Sequence, residues 1–225
     1  MKRQSKNLSF SMERRLSGYA LGAGLLTLAQ PAEARIVYIK AHSVIGPNGD
    51  LWFNMVNGQT DLIFVADWSS TSGVSGGDLW VNPRSGNFLG HYGDGDWNAA
   101  ALPAGYSVSR HDKSNSFNQN NYRGMMAGFL CSDGRKCSFI GDWLNVKNRY
   151  LGVEFRFKGK VHFGWARLNA SCIKHFGCTA LLTGFAYETI PNKPIITGKT
   201  KEPDVITVEP GSLGTLAAGH RGGSR

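Results

Sequence analysis

From residue 35 onward, apolar residues fall in short runs that alternate with polar ones and are separated by Gly, Asn, Asp and Ser. Alternation of this kind, bounded by turn residues, is typical of β-strands. No window after Ala34 repeats apolar residues at helical spacing over the length of a helix. The pattern predicts strands at 36–41, 51–55, 62–66, 78–81, 88–91, 126–131, 150–157, 160–168, 179–188 and 195–196. Strands this short and numerous predict a single all-β domain over residues 35–197, an antiparallel β-sandwich of the jelly-roll or concanavalin-like kind.

The clearest alternation lies in residues 150–168 and predicts a hairpin. A three-residue loop at 157–159, with Gly159 in the left-handed conformation, would form a type I turn with a G1 bulge. That register sets Glu154 opposite His162 and places the apolar residues on one face, paired as Phe155 with Val161, Val153 with Phe163 and Leu151 with Trp165.

Two other segments have weaker patterns. Residues 68–122 are rich in Gly, Ser, Asn and Asp and show faint strand signals, so we expect long loops there that carry Trp68, Trp80, Tyr92 and Trp97. Beyond Gly198 the chain becomes polar and then small and basic. Residues 198–225 are therefore predicted to be a disordered tail.

Residues 1–34 have the layout of a secretory signal peptide. Arg14 and Arg15 precede an apolar run over 19–29, and small residues occupy both positions of an A-x-A cleavage site at 32–34. The run is shorter than the roughly 20 apolar residues of a spanning helix. We expect cleavage after Ala34, no transmembrane anchor in the mature chain, and export to the periplasm, the cell surface or the medium.

The charge of the chain narrows the class of partner. The formal charge is +9 at pH 7, and loss of residues 1–34 would remove five basic and two acidic residues and leave +6. The remaining basic residues are scattered and form no basic helix, so a nucleic-acid partner is not expected. A polysaccharide or another cell-envelope component is the expected partner.

Four cysteines occur as two pairs with five residues between the members, Cys131 with Cys137 and Cys172 with Cys178. Four cysteines allow three connectivities, and the Asp133-Gly134 turn signal favours two local disulfides. A zinc site built from all four is the alternative. Structural zinc usually has two to four residues between paired ligands. Disulfides are therefore predicted, and no metal or other cofactor is expected.

The sequences YLGVEFRF (150–157), HFGWARL (162–168) and GFAYE (184–188) resemble the YLGFRF…HYGWARL…YAYE signature of a family of uncharacterised secreted bacterial proteins. Members often end in a PEP-CTERM sorting signal, and the segment from Val208 through Glu209 and Pro210 to Gly219 resembles such a signal in degenerate form. The resemblance implies export and implies no particular reaction.

Members of that family often carry a D-x-N-x-D-G-x-x-D run that resembles a calcium loop. The corresponding positions here are Phe53, Met55, Asn57, Gly58 and Asp61. Calcium prefers several carboxylate ligands. Because only Asp61 is acidic, no calcium site is expected.

Glu154 and Glu188 are the candidate catalytic residues, since both lie on predicted strands. Glycosidases use two carboxyl groups about 5 Å apart for retention and roughly 6.5–9.5 Å apart for inversion. The alternative is that Glu154 pairs with His162 and that Glu188 ends a strand in solvent. The chain has no H-E-x-x-H motif.

Trp68, Trp80, Trp97 and Trp143 lie in or near polar, Gly-rich segments and are the candidate ligand-binding residues, because flat aromatic faces hold sugars. Core packing is their alternative role. We therefore expect a non-enzymatic extracellular or cell-envelope binding or structural protein, with a glycan as candidate ligand. A carbohydrate-active hydrolase that uses the glutamate pair is the alternative.

Overall fold

The computed structural model describes residues 35–56, 59–93, 95–110, 114–118, 121–132 and 136–201. These residues contain no helix, so the expected all-β fold is confirmed. The signal peptide and the tail beyond residue 201 lie outside the described residues. The strands are β1 (Ile36–Ile45), β2 (Gly49–Phe53), β3 (Leu62–Thr71), β4 (Val74–Pro83), β5 (Asn87–Gly93), β6 (Asp96–Ala99), β7 (Ser107–Val108), β8 (Ser116–Phe117), β9 (Gly124–Ser132), β10 (Lys136–Ile140), β11 (Val146–Phe157), β12 (Lys160–Ile173), β13 (Gly177–Glu188) and β14 (Ile195–Ile196).

Twelve strands form one sheet in the order β1-β13-β12-β11-β5-β6-β9-β4-β3-β2, with β10 added to β9 and β8 added to β5. Pairing is antiparallel except for one parallel bridge, between Asn98 of β6 and Met125 of β9. The sheet curls until β13 packs against β3 and β4, and β1 approaches β2. The result is nearly a closed barrel. A separate two-stranded sheet joins β7 to β14.

The main core lies inside this curled sheet. Its largest fully buried side chains include Phe64, Phe88, Met126, Trp143 and Phe155. Complete burial of one large apolar side chain contributes about 1.5–3 kcal/mol. The inward positions therefore dominate the stability of the fold.

A second core covers the opposite face of β11, β12 and β13. Phe163 and Trp165 of β12 pack there with residues from the segment 100–118 and with Ile195 of β14. The rings of Phe117 and Phe163 are stacked with centroids 5.8 Å apart. The β11–β12 hairpin is thus buried on both faces.

The register expected for the β11–β12 hairpin is wrong by one residue. Phe155 lies opposite His162, and Glu154 lies opposite Phe163. The loop is the two-residue turn Lys158-Gly159, and both residues have positive φ, 50° and 75°, as a type I′ turn requires. The expected register assumed a single buried face. Because both faces are buried, the apolar residues of β12 are divided between the two cores. In the observed register, Glu154 and His162 lie on opposite faces of the hairpin.

The segment 68–122, expected to be mostly loop, contains the end of β3, all of β4, β5 and β6, and the two short strands β7 and β8. The pattern predicts no strand at β6, β7, β8 or β10. These strands have two to five residues, too few to show alternation. β7 pairs with β14, β8 pairs with β5, and β6 adds a bridge to β9, so contacts between residues that are distant in sequence help to define these three strands.

Both predicted disulfides are confirmed. Cys131–Cys137 and Cys172–Cys178 have Cα–Cα distances of 4.0 Å, and each joins directly opposed residues of one hairpin, β9–β10 and β12–β13. All four sulfur atoms are therefore bonded in pairs, which rules out the zinc site. In the described part of the chain, no helix has the length and apolar character needed to cross a membrane.

Candidate functional site

Glu154, the first candidate catalytic residue, is held by Arg110. The Arg110 Nε donates to Glu154 Oε2 at 2.7 Å, and Nη2 donates to Oε1 at 3.3 Å. This hydrogen bond, together with the negative charge of Glu154, raises the pKa of Arg110 above its ordinary value. Arg110 is exposed and Glu154 is half-buried. The partner of Glu154 is therefore an arginine, and the expected pairing with His162 is wrong.

Glu188, the second candidate, ends β13 and is fully buried. Lys193 Nζ lies 2.9 Å from its Oε2, and the backbone N–H of Ile190 donates to Oε1 at 3.0 Å. The carboxylate thus fastens the turn that follows β13. The alternative of a solvent-exposed strand end is wrong for this residue.

Glu154 and Glu188 share one face of the sheet, and Phe163 lies between them. Glu154 is directly opposite Phe163, and the pairing of Gly164 with Tyr187 brings Phe163 next to Glu188 on the same antiparallel ladder. Neighbouring strands are about 4.8 Å apart, so the two backbones are about 10 Å apart. Glycosidases leave the space between their carboxyl groups open to the sugar and to water. Here buried Phe163 fills that space, and each carboxylate has its own cation.

Two of the candidate tryptophans have no free ring face. Trp143 is completely buried, and its Nε1 donates to the carbonyl oxygen of Ala99 at 2.9 Å. Trp80 is buried as well, and the guanidinium carbon of Arg123 lies 4.0 Å from its ring centroid. Trp143 is a core residue, and Trp80 is covered by a cation.

The other two tryptophans are half-buried and pack against the main core. The Nε1 of Trp97 is buried and has no hydrogen-bond partner among the described residues. The centroid of the Trp68 ring lies 6.0 Å from that of the Phe129 ring. Of the four tryptophans, Trp68 borders an open groove.

This groove, which we call the aspartate groove, runs over the outer face of β3, β4, β9 and β10 and has a volume of about 500 Å³. Strand register explains its lining. One row across the four strands contains Asp67, Asp78, Gly128 and Ile140, and the next row contains Ser69, Gly76, Leu130 and Ser138. The outer face at this place is therefore acidic along one row and is bordered by hydroxyl and aliphatic side chains.

Glycines on the two middle strands make the groove concave. Gly76 on β4 and Gly128 on β9 project no side chain, so the floor is backbone. A Cβ on Gly128 would overlap Oδ1 of Asp78, and one on Gly76 would come within 3.3 Å of Cδ1 of Leu130. The carboxylate of Asp78 therefore lies across the β9 backbone, in space that only a glycine leaves open.

Asp67 and Asp78 are directly opposite each other on β3 and β4. Within the described residues, no hydrogen bond or ion pair engages either carboxylate. Burial raises the pKa of Asp78, the negative charge of Asp67 raises it further, and Arg123 partly offsets both effects. Two carboxylates without partners present four acceptor oxygens, which suits hydroxyl and ammonium donors.

The sequence contains one indication that Asp67 and Asp78 pair, although the alternation of apolar and polar residues does not predict it. Asp67 and Asp78 are symmetric about the tight turn Ser72-Gly73, so a β3–β4 hairpin places them opposite each other. The other half of the groove comes from β9 and β10, more than 40 residues further along the chain. No local pattern predicts that these strands lie beside β4.

Asp61 lies at the position where the family resemblance places a calcium loop. Its Oδ2 accepts the backbone N–H of Met55 at 2.8 Å, and its Oδ1 accepts the hydroxyl of Ser85 at 3.0 Å. Burial raises the pKa of Asp61 despite these hydrogen bonds. Asp61 therefore fixes the loop between β2 and β3. Asn57 and Gly58 lie outside the described residues.

Among the described residues, no group of three or more His, Cys, Asp or Glu side chains could hold a metal ion. Comparison with known proteins gave no match: no family model fits the chain, and no similar curated protein or solved structure was found. The chemistry of the aspartate groove is therefore the basis for a function.

Proposed function

We propose that the chain is an exported, non-enzymatic binding domain that holds a neutral or amino-bearing glycan of the cell envelope or the extracellular space in the aspartate groove. One observation carries this proposal. The opposed carboxylates of Asp67 and Asp78 have no hydrogen-bond or ion-pair partner among the described residues, and they lie in an open groove of about 500 Å³.

The lining of the groove matches the two kinds of surface on a sugar ring. Hydroxyl groups at the ring edge donate hydrogen bonds, and the carboxylates together with Ser69 and Ser138 supply acceptors. The C–H faces of the ring are apolar, and the exposed side chains of Leu130 and Ile140 offer apolar walls. The shape of an open groove on a sheet also suits an extended polymer.

The sign of the charge restricts the class of glycan. Two negative charges within a few ångströms repel a polyanion and attract an ammonium group. Neutral polysaccharides and those with free amino groups are therefore the favoured ligands, although the chain as a whole has a formal charge of +9.

Two features support an extracellular or envelope location. Disulfides persist in oxidising compartments, and the chain has two of them. The layout of residues 1–34 is that of a signal peptide. A hydrolase that uses Glu154 and Glu188 is disfavoured, because buried Phe163 lies between the two glutamates.

A glycan array followed by calorimetry of the best ligands tests the proposal. We expect binding to neutral or amino-bearing glycans, and about tenfold weaker binding for Asp67→Asn and for Asp78→Asn, since each loses a charge-assisted hydrogen bond. Asp96→Asn is the matched control, because Asp96 is an exposed carboxylate on β6, outside the groove. Equal affinity of all three variants, or a preference for acidic glycans, would contradict the proposal.

A further inference from the structure

The outer face of β3 continues beyond the aspartate groove toward β2. Ile63 and Asp67 are four residues apart on β3, in a stretch whose pairing with β4 has no bulge, so their side chains share one face. Phe64 lies on the opposite face, in the main core. Trp52 of β2 is directly opposite Ile63 and therefore lies on the outer face with Asp67. One continuous surface thus contains Trp52 and the aspartate groove.

Trp52 presents a large aromatic ring to solvent on this surface. Trp52 is 60% exposed, whereas the other tryptophans of the chain are buried or half-buried. Its Nε1 donates to Oδ2 of Asp50 at 2.8 Å, and the guanidinium carbon of Arg84 lies over the ring, 5.9 Å from its centroid. These two contacts restrain the ring and leave most of it uncovered. A flat aromatic face of this kind is a stacking surface for the apolar face of a ligand.

The ring and the groove are too far apart for one small ligand to contact both. At about 3.3 Å per residue along β3 and about 4.8 Å between strands, the backbones of Trp52 and Asp67 are about 14 Å apart. Half-buried Val65 lies between Ile63 and Asp67 on the same face. A monosaccharide in the groove therefore does not reach Trp52, whereas an extended chain of sugars does.

The charges along this surface are of both signs. Asp67 and Asp78 are negative at the groove, and Arg84 and Asp50, of opposite charge, flank the tryptophan ring. Arg123 is close enough to Asp78 to offset part of the rise in its pKa. A polymer that carries the same charge on every unit meets like charge somewhere along this path. An uncharged polymer meets none, so the surface favours a neutral polysaccharide.

We propose that Trp52 is a second contact of the glycan site and that the ligand is an extended, uncharged polysaccharide that crosses the outer face from the aspartate groove to β2. One sugar donates its hydroxyl groups to Asp67 and Asp78, and another sugar of the same chain stacks its C–H face on Trp52. This inference rests on the proposed function. It narrows the ligand from neutral or amino-bearing glycans to neutral polymers long enough to span both contacts.

Affinity electrophoresis of the full chain tests the charge of the ligand. The gels contain xylan, mannan, dextran or hydroxyethyl cellulose as neutral polymers, alginate as a polyanion and chitosan as a polycation. We expect retardation by at least one neutral polymer and none by alginate. Retardation by chitosan alone overturns this inference and leaves the proposed function standing. If none of these polymers retards the chain, the proposed function and the inference fail together.

Calorimetry with a disaccharide and a hexasaccharide of the retarding neutral polymer tests the role of Trp52. We expect the hexasaccharide to bind about tenfold more tightly, and Trp52→Ala to remove that advantage while the disaccharide affinity stays unchanged. Trp52→Phe keeps a flat ring and should retain most of the advantage. Tyr92→Ala is the matched control, because Tyr92 is 72% exposed and its strand β5 is separated from β2 by four strands.

Acrylamide quenching of tryptophan fluorescence reports the contact independently of affinity. Because Trp52 is the most exposed of the six tryptophans, the hexasaccharide should reduce quenching in the wild type and leave quenching in Trp52→Ala unchanged. Asp67→Asn separates the two proposals. If Asp67→Asn weakens hexasaccharide binding and Trp52→Ala binds as the wild type does, the inference about Trp52 is overturned and the aspartate groove remains the glycan site.

Discussion

Asp67 on β3 lies directly opposite Asp78 on β4, and both carboxylates face the same open groove. Like charges directly opposed across two strands destabilise a sheet, and within the described residues neither carboxylate has a hydrogen-bond or ion-pair partner. The fold therefore carries an unfavourable electrostatic interaction at this place. Such an arrangement is typical of a functional site, where stability is lower than the sequence could provide.

The aspartate pair gives the first prediction. Asp78→Asn is expected to raise the free energy of unfolding by about 0.5 kcal/mol at pH 7. The pKa of Asp78 is raised in the folded state above its ordinary value of 3.8, so its charged form weakens the fold. This penalty is complete above the folded-state pKa and disappears as the pH falls below the unfolded-state value.

Urea unfolding across the acidic range measures this difference. The stability gain of Asp78→Asn over wild type should be largest near neutral pH and vanish in strong acid, and Asp96→Asn should show no such gain. A variant less stable than wild type at pH 7 would contradict the prediction. Since the variant is expected to be more stable, any loss of glycan binding in it cannot result from unfolding.

The two glutamate ion pairs should differ strongly in their contribution to stability. Lys193→Met leaves the fully buried Glu188 without its cation, and we expect a loss of about 3 kcal/mol. Arg110→Met removes the cation from half-buried Glu154 and should cost below about 1 kcal/mol, since exposed Arg110 is well solvated. Thermal and urea unfolding of both variants make the comparison. Lys193→Arg is the conservative control, and losses of equal size would be inconsistent with this difference in burial.

Each disulfide should stabilise the fold by about 2 kcal/mol, because the loops that they close are short. Both cysteines of the Cys172–Cys178 disulfide are buried, whereas Cys137 of the other disulfide is half-buried. We therefore expect mild reductant to open Cys131–Cys137 first. Differential alkylation with peptide mass mapping reports the order, and earlier labelling of Cys172 and Cys178 would show that burial does not govern reduction here.

The β11–β12 turn gives a test of the hairpin register. Lys158 and Gly159 both have positive φ, which Asn and Gly adopt more easily than other residues. Lys158→Asn should therefore stabilise the protein by a few tenths of a kcal/mol, and Gly159→Val should destabilise it by about 1 kcal/mol or more. Urea unfolding measures both effects. If the loop instead had three residues and only Gly159 were left-handed, Lys158→Asn would leave the free energy of unfolding unchanged.

Local patterns in the sequence predict the long strands because alternation is a property of neighbouring residues. The pattern predicted ten strands that all occur, and the bounds of β14 are those expected at 195–196. Most of the others are longer than expected, such as β12, which continues to Ile173. The extension of β12 from Asn169 to Ile173 includes Asn, Ala, Ser and Cys, so the apolar–polar contrast fades there although the backbone pairing with β13 continues.

The candidate site was harder to predict than the fold. Tryptophan and glutamate residues were the candidates predicted from the sequence. In the structure, Trp143 is a core residue and Glu188 forms a buried ion pair with Lys193. Asp67 and Asp78 are ordinary strand residues in the sequence. They form a candidate binding site because β9 pairs with β4 and places Gly128 beneath the carboxylate of Asp78.

The sequence by itself determined the all-β class, most strand positions and the pairing of the cysteines, because alternation, turn residues and short cysteine spacing act between residues close along the chain. The tertiary structure decided the hairpin register, the second core and the aspartate groove. These depend on which faces are covered and on which distant strands pair, and that outcome follows from the burial of apolar surface over the whole domain.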